Sequence, residues 1–123
     1  MILLDTNILI EIYRDNVAIV SIVDSMQEIA VCDVVRAELF YGARNKRDLQ
    51  EIIADIEELP VLPLLPQISE MAVNLVKNFS LSHKLEFADA LIAATAIFHN
   101  TELFTLNKKD FAFIPNLKLY EPE

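Results

Sequence analysis

Short apolar runs alternate with segments of helical periodicity along the chain, and this alternation constrains the fold more than any other feature. Apolar runs predict strands at residues 2–4, 29–32, 102–106 and 117–120. Apolar residues at helical spacing predict helices at residues 8–13, 17–26, 34–41, 46–59, 71–79 and 87–99. Strands that alternate with helices pair in parallel, because each helix carries the chain back across the sheet. The pattern therefore predicts an α/β fold with a small parallel sheet covered by helices.

The connections between these elements are also marked in the sequence. Asp33 is placed to cap the third helix, and Gly42 lies where that helix would end. The segment LPVLPLLP, residues 59–66, has the prolines of a polyproline ligand, but only Val and Leu lie between them, which favours a short buried strand. Residues 81–86 are mostly polar and predict a connection. No linker interrupts the 123 residues, so we expect a single domain over residues 1–123.

Composition excludes several classes of protein. Gly42 is the only glycine, so no glycine-rich loop can hold the phosphates of a nucleotide. One cysteine, Cys32, builds neither a disulfide nor a cysteine-ligated zinc site, and two histidines sixteen residues apart disfavour a histidine-ligated metal. The longest stretch without Asp, Glu, Lys or Arg, residues 90–101, is shorter than the ~20 residues of a membrane span. Residues 1–4 lack the basic start of a secretory signal, so we expect a cytoplasmic protein.

Acidic side chains outnumber basic ones, with 19 Asp and Glu against 10 Lys and Arg and a net charge of −9. Five of the acids lie on one face of the predicted helix at 46–59, opposite its apolar face: Asp48, Glu51, Asp55, Glu57 and Glu58. We expect that face to meet solvent or a basic partner. An acidic chain is a poor electrostatic match for nucleic acid, because Lys and Arg make most phosphate contacts.

Four other acids occupy positions that are not well explained by simple exposure on the surface. Asp5 closes the first strand directly before a helix, at the edge where α/β sheets bind ligands. Glu38 and Asp89 lie in largely apolar helical segments, and Asp110 follows the strand at 102–106. Each has a simpler interpretation when taken alone: Asp5 or Asp110 as a helix cap, Glu38 as an exposed side chain, Asp89 as an acid favoured by the helix dipole. The set of four, rather than any one of them, indicates a function.

Carboxylates that converge at one end of a sheet repel one another, and a divalent cation with oxygen ligands stabilises such a cluster. We therefore expect Mg²⁺ or Mn²⁺. Asp5 and Asp89 are short and would hold the cation stiffly, while the longer Glu38 would reach it directly or through a water molecule. In such sites metal ions activate water and stabilise the leaving oxygen during attack on a phosphodiester. That chemistry needs no general-base histidine.

Four motifs occur in order and together span nearly the whole chain: MILLDTNILIE (1–11), VVRAELFYGAR (34–44), FADALIAATA (87–96) and LFTLNKKDF (103–111). The combination resembles the PIN-domain ribonucleases, particularly the VapC toxins of toxin–antitoxin pairs. The resemblance implies a three-layer α/β/α sandwich and a metal-dependent endoribonuclease that cleaves RNA. It also implies a homodimer and a cognate antitoxin that covers the cleft.

The motifs of the family carry over residue by residue. Its first three acids are matched in order by Asp5, Glu38 and Asp89. The fourth is less clear, because the position eighteen residues beyond Asp89 is Asn107, and Asp110 follows three residues later, so either completes the site. Thr6 matches the small hydroxyl residue beside the first acid, which is expected to orient the site or contact the scissile phosphate. The resemblance also answers the charge objection in part, since the bound metal rather than lysine would meet the phosphate.

Two unrelated families fit less well. A haloacid-dehalogenase-type phosphatase needs a second Asp two positions after the first, where this chain has Asn7. A phosphoacceptor receiver domain would place its Asp at a later strand and has no use for Glu38. The alternative that stays open is a catalytically silent PIN fold, kept as an RNA-binding or protein-interaction scaffold. The presence of the first three acids argues against it, since loss of one would be the expected mark of lost catalysis.

Overall fold

The computed structural model describes residues 1–122, and helices and strands alternate within them as predicted. The elements follow in the order β1 (Ile2–Leu4), α1 (Thr6–Tyr13), α2 (Val17–Asp24), β2 (Ile29–Cys32), α3 (Asp33–Tyr41), α4 (Lys46–Ile56), β3 (Val61–Leu62), α5 (Pro66–His83), α6 (Phe87–Phe98), β4 (Glu102–Phe104) and a 3-10 turn (Lys108–Asp110). Within residues 1–122 no helix is both long enough and apolar enough to span a membrane.

All four strands form one parallel sheet in the order β3-β2-β1-β4. β1 is central, because Leu3 lies opposite Ala30 of β2 on one side and opposite Leu103 of β4 on the other. The chain moves outward from β1 through β2 and β3, and then resumes on the opposite side of β1 with β4. The carboxyl ends of β1 and β4 therefore flank the point where the strand order reverses, which is where open α/β sheets bind ligands.

The core consists of the buried residues of β1, β2 and β4 and the helices packed on them. Leu3 and Leu4 of β1 and Leu103 and Phe104 of β4 are almost completely buried. α6 contacts α5, α3 and β4, and it buries six consecutive or near-consecutive residues: Ala90, Ile92, Ala93, Ala94, Thr95 and Ala96. A helix that is apolar on nearly all sides is expected in the interior. The predicted α/β sandwich is thus confirmed.

The predictions for two segments at the edges of the sheet were wrong in part. The proline-bounded segment does form a strand, but β3 pairs only with β2, and Val61 is 39% exposed rather than buried. Proline cannot donate to a strand ladder, so such segments are confined to sheet edges. The predicted strand at 117–120 is reduced to one parallel bridge between Leu103 and Leu119. Only two backbone hydrogen bonds join it to β4, both through Leu103.

The connection predicted at 81–86 was too long. α5 continues to His83, and Lys84 then ends it in a left-handed conformation (φ 55°) with its N–H bonded to the last helical carbonyls. The polar Ser82 and His83 fit an exposed final turn, where no apolar residue is needed. A left-handed residue is a common way to end a helix, although Gly or Asn is more usual than Lys. The connection proper is therefore residues 84–86.

The predicted caps had mixed outcomes. Gly42 ends α3 as expected. Asp33 is the first residue of α3 rather than its cap, and its carboxylate instead accepts a hydrogen bond from Arg36 at 2.8 Å. Asp110 ends the 3-10 turn and caps no helix. An acid in a first helical turn still interacts favourably with the helix dipole, so Asp33 keeps an electrostatic role.

Thr101, just before β4, allows a direct test of the packing. Its hydroxyl is buried and has no hydrogen-bond partner within residues 1–122. An unsatisfied buried hydroxyl costs free energy, so we expect Thr101→Val to keep the fold and to raise the free energy of unfolding by up to about 1 kcal/mol. Urea denaturation of the two proteins measures this difference. A clear loss of stability would mean that the hydroxyl is bonded in solution.

Candidate active site at the reversal point of the sheet

Asp5 lies directly after β1, at the reversal point of the strand order, and it is only 6% exposed. The N–H of Thr6 donates to its Oδ1 at 2.8 Å, so Asp5 does cap α1. The hydroxyl of Thr105 donates to its Oδ2 at 2.7 Å. Burial raises the pKa of Asp5 above its usual value, and the charges of Glu38 and Asp110 add to the rise, while the two hydrogen bonds oppose it. A residue that only caps a helix needs no such burial. Asp5 is therefore both the cap of α1 and a candidate site residue.

Thr105 is a residue that the sequence reasoning missed. It follows β4 directly, and the pairing of Leu4 with Phe104 brings it beside Asp5, which follows β1 directly. It is almost completely buried. The strand predicted at 102–106 contained Thr105, so the sequence did not show that this residue directly follows the strand, at the edge where open α/β sheets bind ligands.

Glu38 reaches the site from α3. Its side chain is on the exposed side of the helix, and its Oε1 accepts a hydrogen bond of 2.7 Å from the hydroxyl of Thr6. The same Thr6 donates its backbone N–H to Asp5. Thr6 therefore links the first and second predicted acids, with its N–H on one carboxylate and its hydroxyl on the other.

Asp89 lies in the first turn of α6 and is half-buried. Its pKa is raised to about 6, first by burial and then by the negative charges of Asp5, Glu38, Asp110 and, last, Glu86. Within residues 1–122 no Lys or Arg side chain forms an ion pair with Asp89. A carboxyl group with such a pKa at a ligand-binding edge is typical of functional sites.

The two candidates for the fourth position contribute differently. Asp110 is exposed, and its negative charge helps to raise the pKa of both Asp5 and Asp89. Asn107 is also exposed, and its backbone N–H donates to the hydroxyl of Thr105 at 3.0 Å. The structure thus brings Asp5, Glu38 and Asp110 within electrostatic reach of Asp89. It places Asn107 on the segment that holds Thr105.

The chemistry of this donor set fits a hard divalent cation, but the side chains are not gathered tightly. Within residues 1–122 no three His, Cys, Asp or Glu side chains lie close enough together to hold a metal ion. Mg²⁺ keeps several of its water molecules in proteins and is commonly bound through only one or two carboxylates. Asp5 and Asp89 are the two site acids whose pKa values are raised, and they are the donors best suited to such a site.

A groove of about 580 Å³ opens beside Glu38, between α1, α3 and α4. Its apolar lining residues are Ile10, Tyr13, Leu39 and Ile52, and its charged lining residues are Arg14, Glu38, Arg44, Asp48, Glu51 and Asp55. Four acids against two bases leave the groove negative. Burial, followed by the charge and hydrogen bond of Asp55, raises the pKa of Tyr13 to about 12. Part of the acidic face of α4 therefore lines a groove and does not simply meet solvent.

A second, more open recess of about 670 Å³ lies on the other side of Glu38, between α3 and α6. Apart from Glu38 it is lined by apolar and aromatic residues: Val34, Ala37, Tyr41, Phe87, Ala88 and Leu91. Tyr41 is 93% exposed and Phe87 is 46% exposed, so two large rings that line the same recess are open to solvent. We call this surface the α3/α6 apolar face.

The sequence matches the PIN domain family over residues 2–116. Among characterised relatives, "Ribonuclease VapC19" of Mycobacterium tuberculosis is 29% identical over 123 residues, covering 96% of this chain and 98% of the relative.

Solved structures agree in fold over nearly the whole chain. A toxin-antitoxin complex from Klebsiella pneumoniae contains a chain that is 30% identical, with a TM-score of 0.82 and coverage of 99% of this chain and 100% of that one. A chain of VapBC-1 from nontypeable Haemophilus influenzae is 27% identical, with a TM-score of 0.81 and 98% of each chain covered. A chain of VapBC2 from Rickettsia felis, bound to a DNA fragment from its promoter, is 28% identical, with a TM-score of 0.73 and full coverage of both chains.

Proposed function

This chain belongs to the PIN domain family, and on that premise we propose that it is a Mg²⁺-dependent endoribonuclease and the toxin of a toxin–antitoxin pair. The observation that carries the proposal is the set of carboxylates at the reversal point of the sheet, whose members raise the pKa of Asp5 and Asp89. A relative along nearly its full length is named a ribonuclease, and similar chains occur in toxin–antitoxin complexes. We expect Mn²⁺ to substitute for Mg²⁺.

Each site residue then has a role. Asp5 and Asp89 would hold the cation, and Glu38 would reach it directly or through water. When bound, the cation supplies an activated water and neutralises charge on the phosphate during in-line attack. Thr6 presents a hydroxyl between Asp5 and Glu38, where it would orient the site or contact the scissile phosphate. Asp110 would complete the negative site, with Asn107 as the other candidate for the fourth position.

The negative groove between α1, α3 and α4 is the surface that we assign to the antitoxin. A partner segment seated there would contact Glu38, which lines the groove and belongs to the proposed site. Its apolar lining residues and its surplus of acids suit a segment that combines an apolar anchor with Arg or Lys. Such a segment would block the site without altering the fold.

We assign the α3/α6 apolar face to self-association as a homodimer. Tyr41→Asp should convert a dimer to a monomer at micromolar concentration, because it places a charge within an apolar contact. Val17→Asp is the matched control, since Val17 is 80% exposed on α2 and lies outside this face. Sedimentation velocity of the three proteins measures the result. A Tyr41→Asp protein that sediments like the parent dimer would contradict the assignment.

The alternative is a catalytically silent scaffold for RNA or protein. The absence of a ready three-ligand group among residues 1–122 favours it, while the charged set at Asp5, Glu38 and Asp89 favours the enzyme. The enzyme and its RNA substrate imply a cytoplasmic location.

The test is cleavage of a mixed panel of structured RNAs by the purified chain, free of any bound antitoxin, with Mg²⁺, Mn²⁺ or EDTA. We expect cleavage with either cation and none with EDTA. In parallel, Mn²⁺ should raise the melting temperature of the protein, since a ligand that binds only the folded state stabilises it. Stabilisation by Mn²⁺ without cleavage would favour the scaffold. The absence of both stabilisation and cleavage would overturn the proposed metal site.

A further inference from the structure

Thr105 makes every hydrogen bond that its side chain can make. A threonine hydroxyl has one proton to donate and two lone pairs to accept with. The side-chain amide of Asn7 donates to Thr105 Oγ1 at 3.3 Å, and the backbone N–H of Asn107 donates to it at 3.0 Å. With both lone pairs occupied, the single proton is directed at Asp5 Oδ2, 2.7 Å away.

The arrangement fixes the Asp5 carboxylate from two sides. Thr105 holds Oδ2 and the N–H of Thr6 holds Oδ1, so rotation of the carboxylate breaks at least one bond. Each carboxylate oxygen can accept two hydrogen bonds, and each has one such partner here. One acceptor site on each oxygen is therefore left for a ligand, in an orientation that the fold sets in advance.

Asn7 links α1, near the start of the chain, to the segment that follows β4. It stands in the first turn of α1, its amide donates to Thr105, and its Oδ1 accepts the N–H of Leu106 at 3.2 Å. The segment after β4 is thus clamped to α1 by the same side chain that orients the hydroxyl.

Thr101 shows that burial at an end of β4 is not enough to give a threonine hydroxyl hydrogen-bond partners. It flanks the same strand as Thr105, at the opposite end, and is also buried, yet its hydroxyl has no partner within residues 1–122. The bonds of Thr105 therefore depend on its place beside Asp5 and not on burial alone.

We infer that Thr105 is a positioning residue, whose hydroxyl, oriented by Asn7 and the backbone of Asn107, holds the Asp5 carboxylate in the geometry that binds a divalent cation. The inference rests on the proposed function. A group that orients a metal ligand typically contributes ten- to hundredfold to metal affinity. Thr105 touches neither the metal nor the RNA in this role and acts only through Asp5.

The experiment is calorimetric titration of Mn²⁺ into metal-free protein, with the melting temperature in EDTA measured beside it. Thr105→Val keeps the shape and removes the hydroxyl, and we expect Mn²⁺ to bind about ten- to hundredfold more weakly. Thr105→Ser restores the hydroxyl and should bind within about threefold of the parent. Thr101→Val, the matched control, should bind as the parent does. A purely structural role for Thr105 would lower the melting temperature in EDTA and leave the affinity unchanged.

Equal affinity in the parent and in Thr105→Val would overturn this inference alone, as would a Thr105→Ser protein that binds as weakly as Thr105→Val. A parent that binds no Mn²⁺ would overturn the proposed metal-dependent function as well, so the two failures are distinct. If Thr105→Val does not fold, Asn7→Ala removes the amide that orients the hydroxyl. It should weaken binding several-fold, and unchanged affinity in that variant would also overturn the inference.

Discussion

Asp5→Asn is expected to lower the rate of RNA cleavage by about a thousandfold or more. Metal catalysis supplies several kcal/mol of transition-state stabilisation, and each 1.36 kcal/mol corresponds to a factor of ten in rate. The amide keeps the size of Asp5 and can still accept a hydrogen bond from Thr6 or Thr105, so the fold should persist. What it loses is the negative charge that would hold the cation.

The measurement is a single-turnover cleavage assay in Mn²⁺ with parent and variant prepared in the same way. Asp24→Asn is the control, because Asp24 is exposed at the end of α2 and away from the reversal point of the sheet. It should cleave at the parent rate. Cleavage by Asp5→Asn at the parent rate would mean that the site is wrongly assigned or that another ribonuclease is present.

Asp89→Asn should lower the rate of cleavage about as much as Asp5→Asn does. Unlike most substitutions of a half-buried residue, it should also stabilise the metal-free protein. The pKa of Asp89 is about 6 in the folded state, against 3.8 for the free side chain. The fold therefore prefers the protonated form. Stability from this group is fully present below about pH 4 and is lost as the pH rises through 6.

At pH 7.5 the ionised Asp89 opposes folding, and its removal should raise the free energy of unfolding by about 1–2 kcal/mol, allowing for screening of this partly exposed group. Urea denaturation in EDTA at pH 5 and 7.5 measures the effect. The parent should be the less stable of the two proteins at pH 7.5, and the gap should narrow at pH 5. Glu70→Gln, an exposed acid on α5, should show no such pattern. A destabilised Asp89→Asn protein at pH 7.5 would contradict the repulsion on which the interpretation depends.

Much of the fold could be predicted because periodicity and strand–helix alternation are local signals. β1, β2 and α6 were placed within a residue or two, since each is a strongly apolar run with a clear start. The failures lie where tertiary contacts decide. The segment at 117–120 has the composition of a strand, but it meets β4 at a single bridge, and no sequence pattern reports how many hydrogen bonds a segment will find.

The candidate site was predictable in its acids and not in its supporting groups. Asp5 and Asp89 stand out because a charge in an apolar context is costly and therefore visible. Thr105 does not stand out, since threonine is common at strand ends. Its role depends on the register of β1 against β4, which the sequence does not give. The α3/α6 apolar face was missed for a related reason, because Tyr41 and Phe87 look like core residues until the packing shows them exposed.

The hydrogen bond between Thr105 and Asp5 joins residues that are 100 positions apart. Ribosomes synthesise chains from the N-terminus at roughly 5–20 residues per second, so β1 is made first. Asp5 is therefore made several seconds before its partner, and it stays without Thr105 until β4 has been synthesised and has docked beside β1. For a protein proposed to attack RNA, this order of synthesis delays the completed site until nearly the whole domain exists. During that interval the ribosome that makes the chain meets only an unfinished form of it.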